Sequence, residues 1–172
     1  MVKILVVSDS HGHTEDLVQL QKKYENETIA MIHCGDSELD SQDVVLQPFI
    51  YVKGNCDYGQ AFSTEEVKEL GGFRFFITHG HLYNVNMTLQ NISYKAQEVG
   101  ASIVLFGHTH RAGSEMNRDG LLFINPGSIS FPRGRKERTY VILELQDDRV
   151  DVSFYDHEGN YLDYLSATYQ MK

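Results

Sequence analysis

The amino-terminal part of the chain alternates short apolar runs with one amphipathic segment. Residues Lys3–Val7 form a near-continuous apolar run, which predicts a strand that is buried on both faces. Apolar side chains then recur at helical spacing from Thr14, a candidate N-cap, to about Asn26. A second apolar run, Ile29–Ile32, predicts another buried strand. This order of strand, helix and strand is typical of a parallel sheet covered by helices.

The middle of the chain continues the same pattern. Phe49–Val52 predicts a third buried strand, and the acidic stretch before it is expected to hold a short helix from Ser41. A second amphipathic helix is predicted between Asn86, as its N-cap, and Gly100, as its stop. That helix leads into Ile103–Phe106, which predicts a further buried strand.

Paired turn residues indicate that antiparallel hairpins are added to these units. Gly71-Gly72 separates two strand-like arms, and Asp119-Gly120 and Asp147-Asp148 do the same later in the chain. A last arm is expected near residues 161–165. Strand–helix units followed by hairpins predict an α/β fold, a four-layer α/β/β/α sandwich of two mixed sheets flanked by helices. We expect residues 1–172 to form a single domain, because this length can bury a sizeable core.

Composition narrows the classes of partner and the compartment. The chain has 15 basic and 24 acidic residues, a net charge of −9, which disfavours nucleic-acid polymers but allows a small anionic substrate. Cys34 and Cys56 form no CxxC pair, which favours reduced thiols and a cytoplasmic protein. The apolar opening, Met1–Val7, is too short for a signal sequence or a membrane span, so no membrane association is expected.

Metal-binding side chains follow the predicted strands. Asp9 and His11, His79 and His81, and His108 and His110 each stand two positions apart at the end of a strand. In an extended chain such pairs point to the same side, so each strand would present two donors to one site.

Two further oxygen donors follow strands in the same way, Asp36 after Gly35 and Asn55 after Gly54. This mixture of carboxylate, amide and imidazole donors is typical of catalytic sites for Mn²⁺, Ni²⁺, Zn²⁺, Fe²⁺ or Co²⁺. It is less typical of a structural zinc site or a calcium site. The donors outnumber the needs of one ion, and two ions about 3.5–4 Å apart would share a bridging carboxylate. Such a pair keeps residual positive charge, which attracts a phosphodiester and lowers the pKa of bound water.

The order Asp9-x-His11, Gly35-Asp36, Gly54-Asn55, His79 and Gly107-His108-x-His110 resembles the calcineurin-like metallophosphoesterase superfamily. The small size and the Asn125-Pro126-Gly127-Ser128 segment are similar to its bacterial and archaeal phosphodiesterase branch. The resemblance implies the sandwich fold and two divalent ions, with Mn²⁺ the first choice. It implies one ion on Asp9, His11 and His110, a second on Asn55, His79 and His108, and Asp36 as the bridge.

We therefore expect a dinuclear metal-dependent phosphodiesterase that uses a metal-bound hydroxide, with Asp36, Asn55 and His81 as its catalytic residues. Its substrate is expected to be a small phosphodiester; cyclic nucleotides, nucleotide diesters and lipid-derived diesters all remain open. One alternative is a non-enzymatic metal-binding interaction module similar to the metallophosphoesterase-fold subunit of retromer. A phosphomonoesterase with the same ligands is another. The tyrosines near the carboxyl terminus are interpreted as sheet surface or as a homo-oligomer contact.

Several residues keep two interpretations at this stage. His81 either contacts phosphate or a ligand, or lies on the surface, and Arg111 either reaches phosphate or is solvated. Asn125 and Ser128 either orient the histidine ligands or only shape a turn. Structural roles are expected for His13, His33 and Cys34, and a solvated loop for the basic run Arg133–Arg138.

Cys56 is the one departure from the family pattern, because many members have histidine after the asparagine. A neutral thiol is a poor substitute for an imidazolium as a general acid. The sequence therefore predicts a slow enzyme that favours substrates with acidic leaving groups.

Overall fold

Eleven strands and two α-helices make up the fold, and the computed structural model describes residues 1–172. Neither helix has the length and apolar character needed to cross a membrane. In chain order the elements are β1 (Val2–Val7), α1 (Glu15–Tyr24), β2 (Ala30–His33), β3 (Phe49–Tyr51), β4 (Glu65–Leu70), β5 (Phe73–Thr78), α2 (Gln90–Glu98), β6 (Ile103–Leu105), β7 (Gly113–Met116), β8 (Leu122–Asn125), β9 (Thr139–Gln146), β10 (Arg149–Asp156) and β11 (Ala167–Gln170).

The strands form two mixed sheets. The six-stranded sheet has the order β11-β10-β9-β1-β2-β3, in which β1, β2 and β3 are parallel and β9 to β11 are antiparallel. The five-stranded sheet has the order β4-β5-β6-β8-β7, with β5, β6 and β8 parallel and an antiparallel strand at each edge. The three predicted hairpins are confirmed, since β4 pairs with β5, β7 with β8, and β9 with β10.

Apolar side chains place the two sheets face to face and one helix on each outer surface. Alternate residues of β1 and β5, such as Ile4 and Phe75, point into the core between the sheets. Leu17 of α1 packs against the opposite face of the six-stranded sheet, and Ile92 of α2 against the outer face of the five-stranded sheet. This arrangement confirms the predicted four-layer α/β/β/α sandwich.

Two of the predicted helix boundaries are wrong. No helix begins at Ser41; Asp40 and Asp43 instead accept hydrogen bonds from backbone N–H groups two positions ahead, which stabilises successive turns. Asn86 does not cap α2, which begins at Gln90. A turn that starts at Asn84, whose φ is 55°, occupies the intervening residues.

The last predicted arm, residues 161–165, is also wrong. Tyr161 makes one isolated bridge to Tyr155, and the chain then turns at Leu162, whose carbonyl accepts hydrogen bonds from Leu165 and Ser166. The final strand is therefore β11, which pairs with β10 at the edge of the six-stranded sheet.

Candidate metal centre

The loops that follow five parallel strands meet at one edge of the sandwich. The loop after β1 bonds to the loop after β2, since the Asp9 N–H donates to the Gly35 carbonyl. The loop after β6 bonds likewise to the loop after β5, where the Gly107 N–H donates to the His79 carbonyl. These loops and the one after β3 carry the seven predicted ligands, Asp9, His11, Asp36, Asn55, His79, His108 and His110.

Asp9, His11 and His110 form the first group of donors. His110 Nε2 lies 3.1 Å from Asp9 Oδ1 and 3.1 Å from His11 Nε2. All three donor atoms lie within 4.8 Å of one another, a spacing that allows them to hold one metal ion. This is the set that the resemblance assigned to one ion, with Asp36 close enough to His11 to complete it.

Asp36, Asn55 and His79 form the second group. His79 Nε2 lies 3.1 Å from Asp36 Oδ2 and 3.1 Å from Asn55 Oδ1. The ring of His108 lies against His79, with 5.1 Å between the ring centroids. Asp9 Oδ1 also lies 3.8 Å from His79 Nε2, so that carboxylate is placed between the two groups.

Hydrogen bonds fix which nitrogen each histidine presents to the centre. Nδ1 of His79 donates to the Cys34 carbonyl, and Nδ1 of His110 donates to the Phe131 carbonyl, both at 2.7 Å. A carbonyl can only accept, so in the neutral rings each Nε2 is an unprotonated lone pair. Both lone pairs face carboxylate oxygens, and Asp9 Oδ1 is buried without any hydrogen bond. Acceptors that converge in this way need a cation between them, so these residues fit divalent ions.

The pKa values of the same residues show how strongly the carboxylates and the histidine rings interact. Burial opposes ionisation of Asp9, but His11 and His110, when their rings are protonated, outweigh it and hold the Asp9 pKa below its usual value. Burial alone would lower the pKa of His79, but Asp36 and Asp9 raise it above its ordinary value of 6.5. Without metal, protons therefore compensate the carboxylates. A metal ion must displace those protons, so its affinity rises with pH.

The ligand pairs reach the centre by a different geometry from the one predicted. Extended chain was expected to aim each pair to one side, but five of the seven ligands have left-handed backbone: Asp9 (φ 55°), His11 (44°), Asp36 (59°), His108 (67°) and His110 (58°). The chain has already left the strand and curls around the site. Non-glycine residues pay about 1 kcal/mol or more for this conformation, a strain that is typical of functional sites.

His81, the partner of His79 in the third pair, lies at the margin of the centre. It begins a single 3-10 turn, and its ring centroid is 5.4 Å from that of His79 and 6.2 Å from that of His108. Its Nδ1 is buried without a hydrogen-bond partner. Burial and the charge of His79 lower the pKa of His81, which favours its neutral form.

Asn125 and Ser128 hold the backbone of the ligand loops. The Asn125 amide donates to the Gly107 carbonyl and to the Thr109 hydroxyl, each at 3.0 Å. The Ser128 hydroxyl donates to the Asp9 carbonyl at 2.7 Å. Neither side chain bonds to a histidine ring, so they position the ligands through the main chain. Arg111 is exposed, and its guanidinium lies beside Gly134.

His13 and His33 lie outside the donor groups. His33 is fully buried, accepts a hydrogen bond from the Gly35 N–H and bonds to the Ser10 hydroxyl; burial lowers its pKa to about 4. It is therefore neutral and braces the loop that carries Asp36. His13 is exposed, and its ring lies 5.4 Å from that of Phe131.

Glu38 and Asp57 are site residues that sequence reasoning missed. Glu38 Oε2 accepts a hydrogen bond from His11 Nδ1 at 3.1 Å and so directs His11 Nε2 to the centre. Asp57 accepts from the backbone N–H groups of Asp36, Gly54 and Glu38 at 2.7–2.9 Å, which joins the loops after β2 and β3. The only signal was an acidic residue one turn beyond each motif, a common feature of exposed loops.

Cys56 lies at the open side of both groups. Its N–H donates to Asp36 Oδ1 at 2.7 Å, and its sulfur lies within 4.8 Å of donor atoms of His11 and Asp36. Burial and then the Asp36 charge raise the pKa of the thiol to about 11. In the metal-free protein the thiol is therefore neutral at pH 7.

The match to a family model decides the affiliation. Residues 2–148 match the model described as calcineurin-like phosphoesterase superfamily domain. The chain belongs to this superfamily. Its members bind divalent metals, and both donor groups described above lie within the matched residues. Identity with a curated relative supports this: the chain is 47% identical to the probable metallophosphoesterase YsnB of Bacillus subtilis over 92% of this chain and 94% of the relative.

Three further proteins are similar to this chain in sequence, in fold or in both. A solved structure from Streptococcus pneumoniae, described as a predicted phosphoesterase, superposes with a TM-score of 0.94 and 35% identity over 98% of this chain and 97% of that one. The phosphodiesterase MJ0936 of Methanocaldococcus jannaschii is 28% identical over 73% of this chain and 83% of the relative. Vps29 of Cryptosporidium parvum superposes with a TM-score of 0.79 at 17% identity, over 98% of each chain, which shows the fold alone.

Replacement of Gly107 by alanine should damage the metallophosphoesterase centre. A Cβ at position 107 would lie 2.5 Å from Asp9 Oδ2 and would also collide with the Ser8 hydroxyl. We expect Gly107→Ala to cost about 1–3 kcal/mol of unfolding free energy and to weaken metal binding. Gly113→Ala, where a Cβ meets nothing within 4 Å, is the matched control. Equal unfolding curves and equal metal affinities for the two variants would refute this account of Gly107.

Glu38→Gln should weaken metal binding without unfolding the protein. The carboxylate is the only anionic partner of His11 Nδ1, and its charge supports the electron-donating ability of the opposite nitrogen. We expect metal affinity to fall by about tenfold or more, measured by calorimetry on chelated protein. Glu98→Gln, an exposed carboxylate at the end of α2, serves as the control. Unchanged affinity in Glu38→Gln would mean that His11 needs no such support.

Proposed function

We propose that this metallophosphoesterase is a dinuclear metal-dependent phosphodiesterase. The proposal depends on one observation: histidine Nε2 atoms and carboxylate oxygens converge in two adjacent donor groups that share Asp9 and Asp36. Two groups a few ångströms apart suit two ions and the in-line displacement that such pairs catalyse. The naming of MJ0936 as a phosphodiesterase supports the choice of reaction.

The seven ligands would be divided between the two ions. Asp9, His11 and His110 would hold one ion, Asn55, His79 and His108 the other, and Asp36 would join them, with Mn²⁺ as our first choice. Divalent ions there supply a water acidic enough to react near neutral pH and neutralise charge on the phosphoryl oxygens.

Asp36, Asn55 and His81 are the residues that we propose to act on the phosphoester. Asp36 and Asn55 orient the donors around the centre through His79. The His81 ring, half-buried beside His79 and His108, is positioned to hydrogen-bond a phosphoryl oxygen. A neutral His81 suits a donor to an oxygen that gains negative charge, because it adds no fixed charge that would hold the product.

A diester fits the charges around the centre better than a monoester. A monoester dianion calls for additional cations near the phosphoryl oxygens. Arg111 lies next to His110 in sequence, but its guanidinium is directed to Gly134, and no lysine or arginine makes an ion pair with the ligand carboxylates. A diester monoanion needs no more positive charge than the ions themselves retain.

The rival function is a metal-binding interaction module. The fold it shares with Vps29 supports that role, but every donor position of the centre is filled here, and hydrogen bonds orient the rings of His11, His79 and His110. Two free cysteines support the proposed cytoplasmic location. The exposed side chains of Tyr161 and Tyr164 remain our proposed homo-oligomer contact.

Metal-restored diester hydrolysis tests the proposal. Chelated protein reloaded with Mn²⁺, Ni²⁺, Zn²⁺ or Mg²⁺ should cleave bis-p-nitrophenyl phosphate faster than the corresponding monoester. Asp36→Asn should lower kcat by about 10²-fold or more, because it removes one negative charge from the shared donor. Asp163→Asn, an exposed aspartate on the turn before β11, should leave kcat unchanged. Preference for the monoester would favour a phosphomonoesterase, and no cleavage with metal bound would favour the interaction module.

Cys56→His should make the enzyme faster on difficult substrates. The thiol, with its raised pKa, donates a proton poorly to a leaving alkoxide, whereas an imidazolium at this place would act as a general acid. We expect at least about a tenfold gain in kcat for alkyl diesters and a smaller gain for p-nitrophenyl diesters, whose leaving group needs no proton. Cys56→Ser is the control for loss of the thiol without gain of an imidazole. It is preferred to Cys34→Ser, because Cys34 is buried in the core. A loss of turnover in Cys56→His would contradict this role.

A further inference from the structure

Phe131 is a large apolar side chain on an immobile backbone. Its N–H donates to the Ser128 hydroxyl and its carbonyl accepts from His110, both at 2.7 Å. The N–H of Arg133, two positions on, donates to the His110 carbonyl at 2.9 Å. The residue is nevertheless 52% exposed. Its main chain is thus fixed to a ligand loop while its ring is held in solvent.

The Phe131 ring lies at the mouth of the metal centre. Its centroid is 5.8 Å from the ring of His11 and 5.4 Å from the ring of His13. The His11 ring carries a ligand nitrogen of the first donor group. A phosphoester bound at both donor groups can therefore extend one of its substituents over the Phe131 ring.

Two other exposed apolar side chains lie on the same rim. Tyr58, 89% exposed, follows the Asn55 turn, and Leu82, 61% exposed, follows His81 beside the second donor group. The loops that carry the ligands also expose Val44 and Met87, but these residues lie farther along the chain from the ligands than Tyr58 and Leu82. A polar centre bordered by large apolar side chains indicates a ligand whose ends are apolar or planar.

From this arrangement we propose that Phe131 determines substrate specificity by stacking on the base of the substituent that the phosphate retains, so that nucleotide diesters are the preferred substrate class. This inference rests on the proposed phosphodiesterase function and deepens it. A phosphodiester has two substituents, and a ring next to the phosphate can reach Phe131 while phosphorus stays at the donor groups. Stacking tolerates different bases, because every base presents a π-face.

The charge of the protein restricts the size of such substrates. A net charge of −9 repels a polyanion over most of the surface, so a long nucleic acid gains little from one aromatic contact. A mononucleotide ester or a dinucleotide places one or two phosphates at the centre and one base on Phe131. Glycerol or alkyl diesters offer Phe131 no planar surface and lose this contact.

Two substrates with the same leaving group test the proposal. Thymidine 5′-(4-nitrophenyl phosphate) has a base on its retained side, whereas methyl 4-nitrophenyl phosphate has none. With Mn²⁺-loaded protein, Phe131→Ala and Phe131→Leu should lower kcat/KM for the thymidine ester by about fivefold or more, and the methyl ester should change by less than about twofold. Phe131→Tyr, which keeps the ring, should retain the selectivity. Tyr94→Ala removes an exposed aromatic residue of α2 and serves as the control.

The outcomes separate this inference from the proposed function. If the wild-type protein cleaves neither ester with metal bound, the phosphodiesterase proposal fails, and this one fails with it. If it cleaves both, and Phe131→Ala lowers both rates equally, Phe131 acts only as a backbone support for His110 and the stacking proposal is wrong. Calorimetry on Phe131→Ala should show unchanged Mn²⁺ affinity, and a loss of affinity would likewise overturn a role confined to the substrate.

Discussion

The convergence of hydrogen-bond acceptors at one edge of the sandwich constrains the rest of the structure. Asp9 Oδ1 lies 3.1 Å from His110 Nε2 and 3.8 Å from His79 Nε2, and Asp36 Oδ2 lies 3.1 Å from His79 Nε2. Asp9 Oδ1 is fully buried. Such a group of acceptors is unfavourable unless protons or cations lie among them. Because Nδ1 of both histidines is committed to a carbonyl, the compensating charge must enter at the centre itself. Ions that bind only the folded chain would also stabilise it.

Several neighbours exist to hold this unfavourable arrangement. The left-handed turns that carry Asp9 and His110 are tied down by Ser128 and by backbone bonds from the loop that contains Arg133. Asp57 stabilises the turn at Asp36 in the same way, because it accepts hydrogen bonds from three backbone N–H groups. The strain of the turns and the clustering of acceptors are thus offset by hydrogen bonds that do not themselves touch a metal.

Sequence predicted the parts of this design that depend on periodicity and on donor chemistry. Apolar runs such as Lys3–Val7 gave the buried strands, because a strand covered on both faces has no other composition. The ligand types were recognisable since few other roles require an aspartate–histidine pair, two histidine pairs and two further oxygen donors at strand ends. The geometry behind them was not recognisable: extended spacing was expected where the chain turns left-handed, because φ at His108 and His110 is set by hydrogen bonds from distant residues.

Residues that act through long-range contacts escaped prediction for the same reason. Glu38 is an ordinary loop glutamate in sequence, and only the fold brings it to His11. The Phe131 carbonyl, which orients His110, carries no side-chain signature at all. A local turn, and not a long-range contact, moved the start of the second helix from Asn86 to Gln90, since the Asn84 carbonyl accepts from the Met87 and Thr88 N–H groups.

Phe131 shows how one loop can serve the metal centre and the substrate independently. Its backbone carbonyl accepts a hydrogen bond from His110. Any residue that keeps the shape of the turn can supply this carbonyl. Its side chain lies outside the donor groups and is free to change without moving a ligand. The strands and their braces therefore fix the chemistry that the superfamily shares, whereas exposed side chains on the same loops can differ between members. Two functions divided between the main chain and the side chain of one residue allow specificity to change while the metal ligands stay in place.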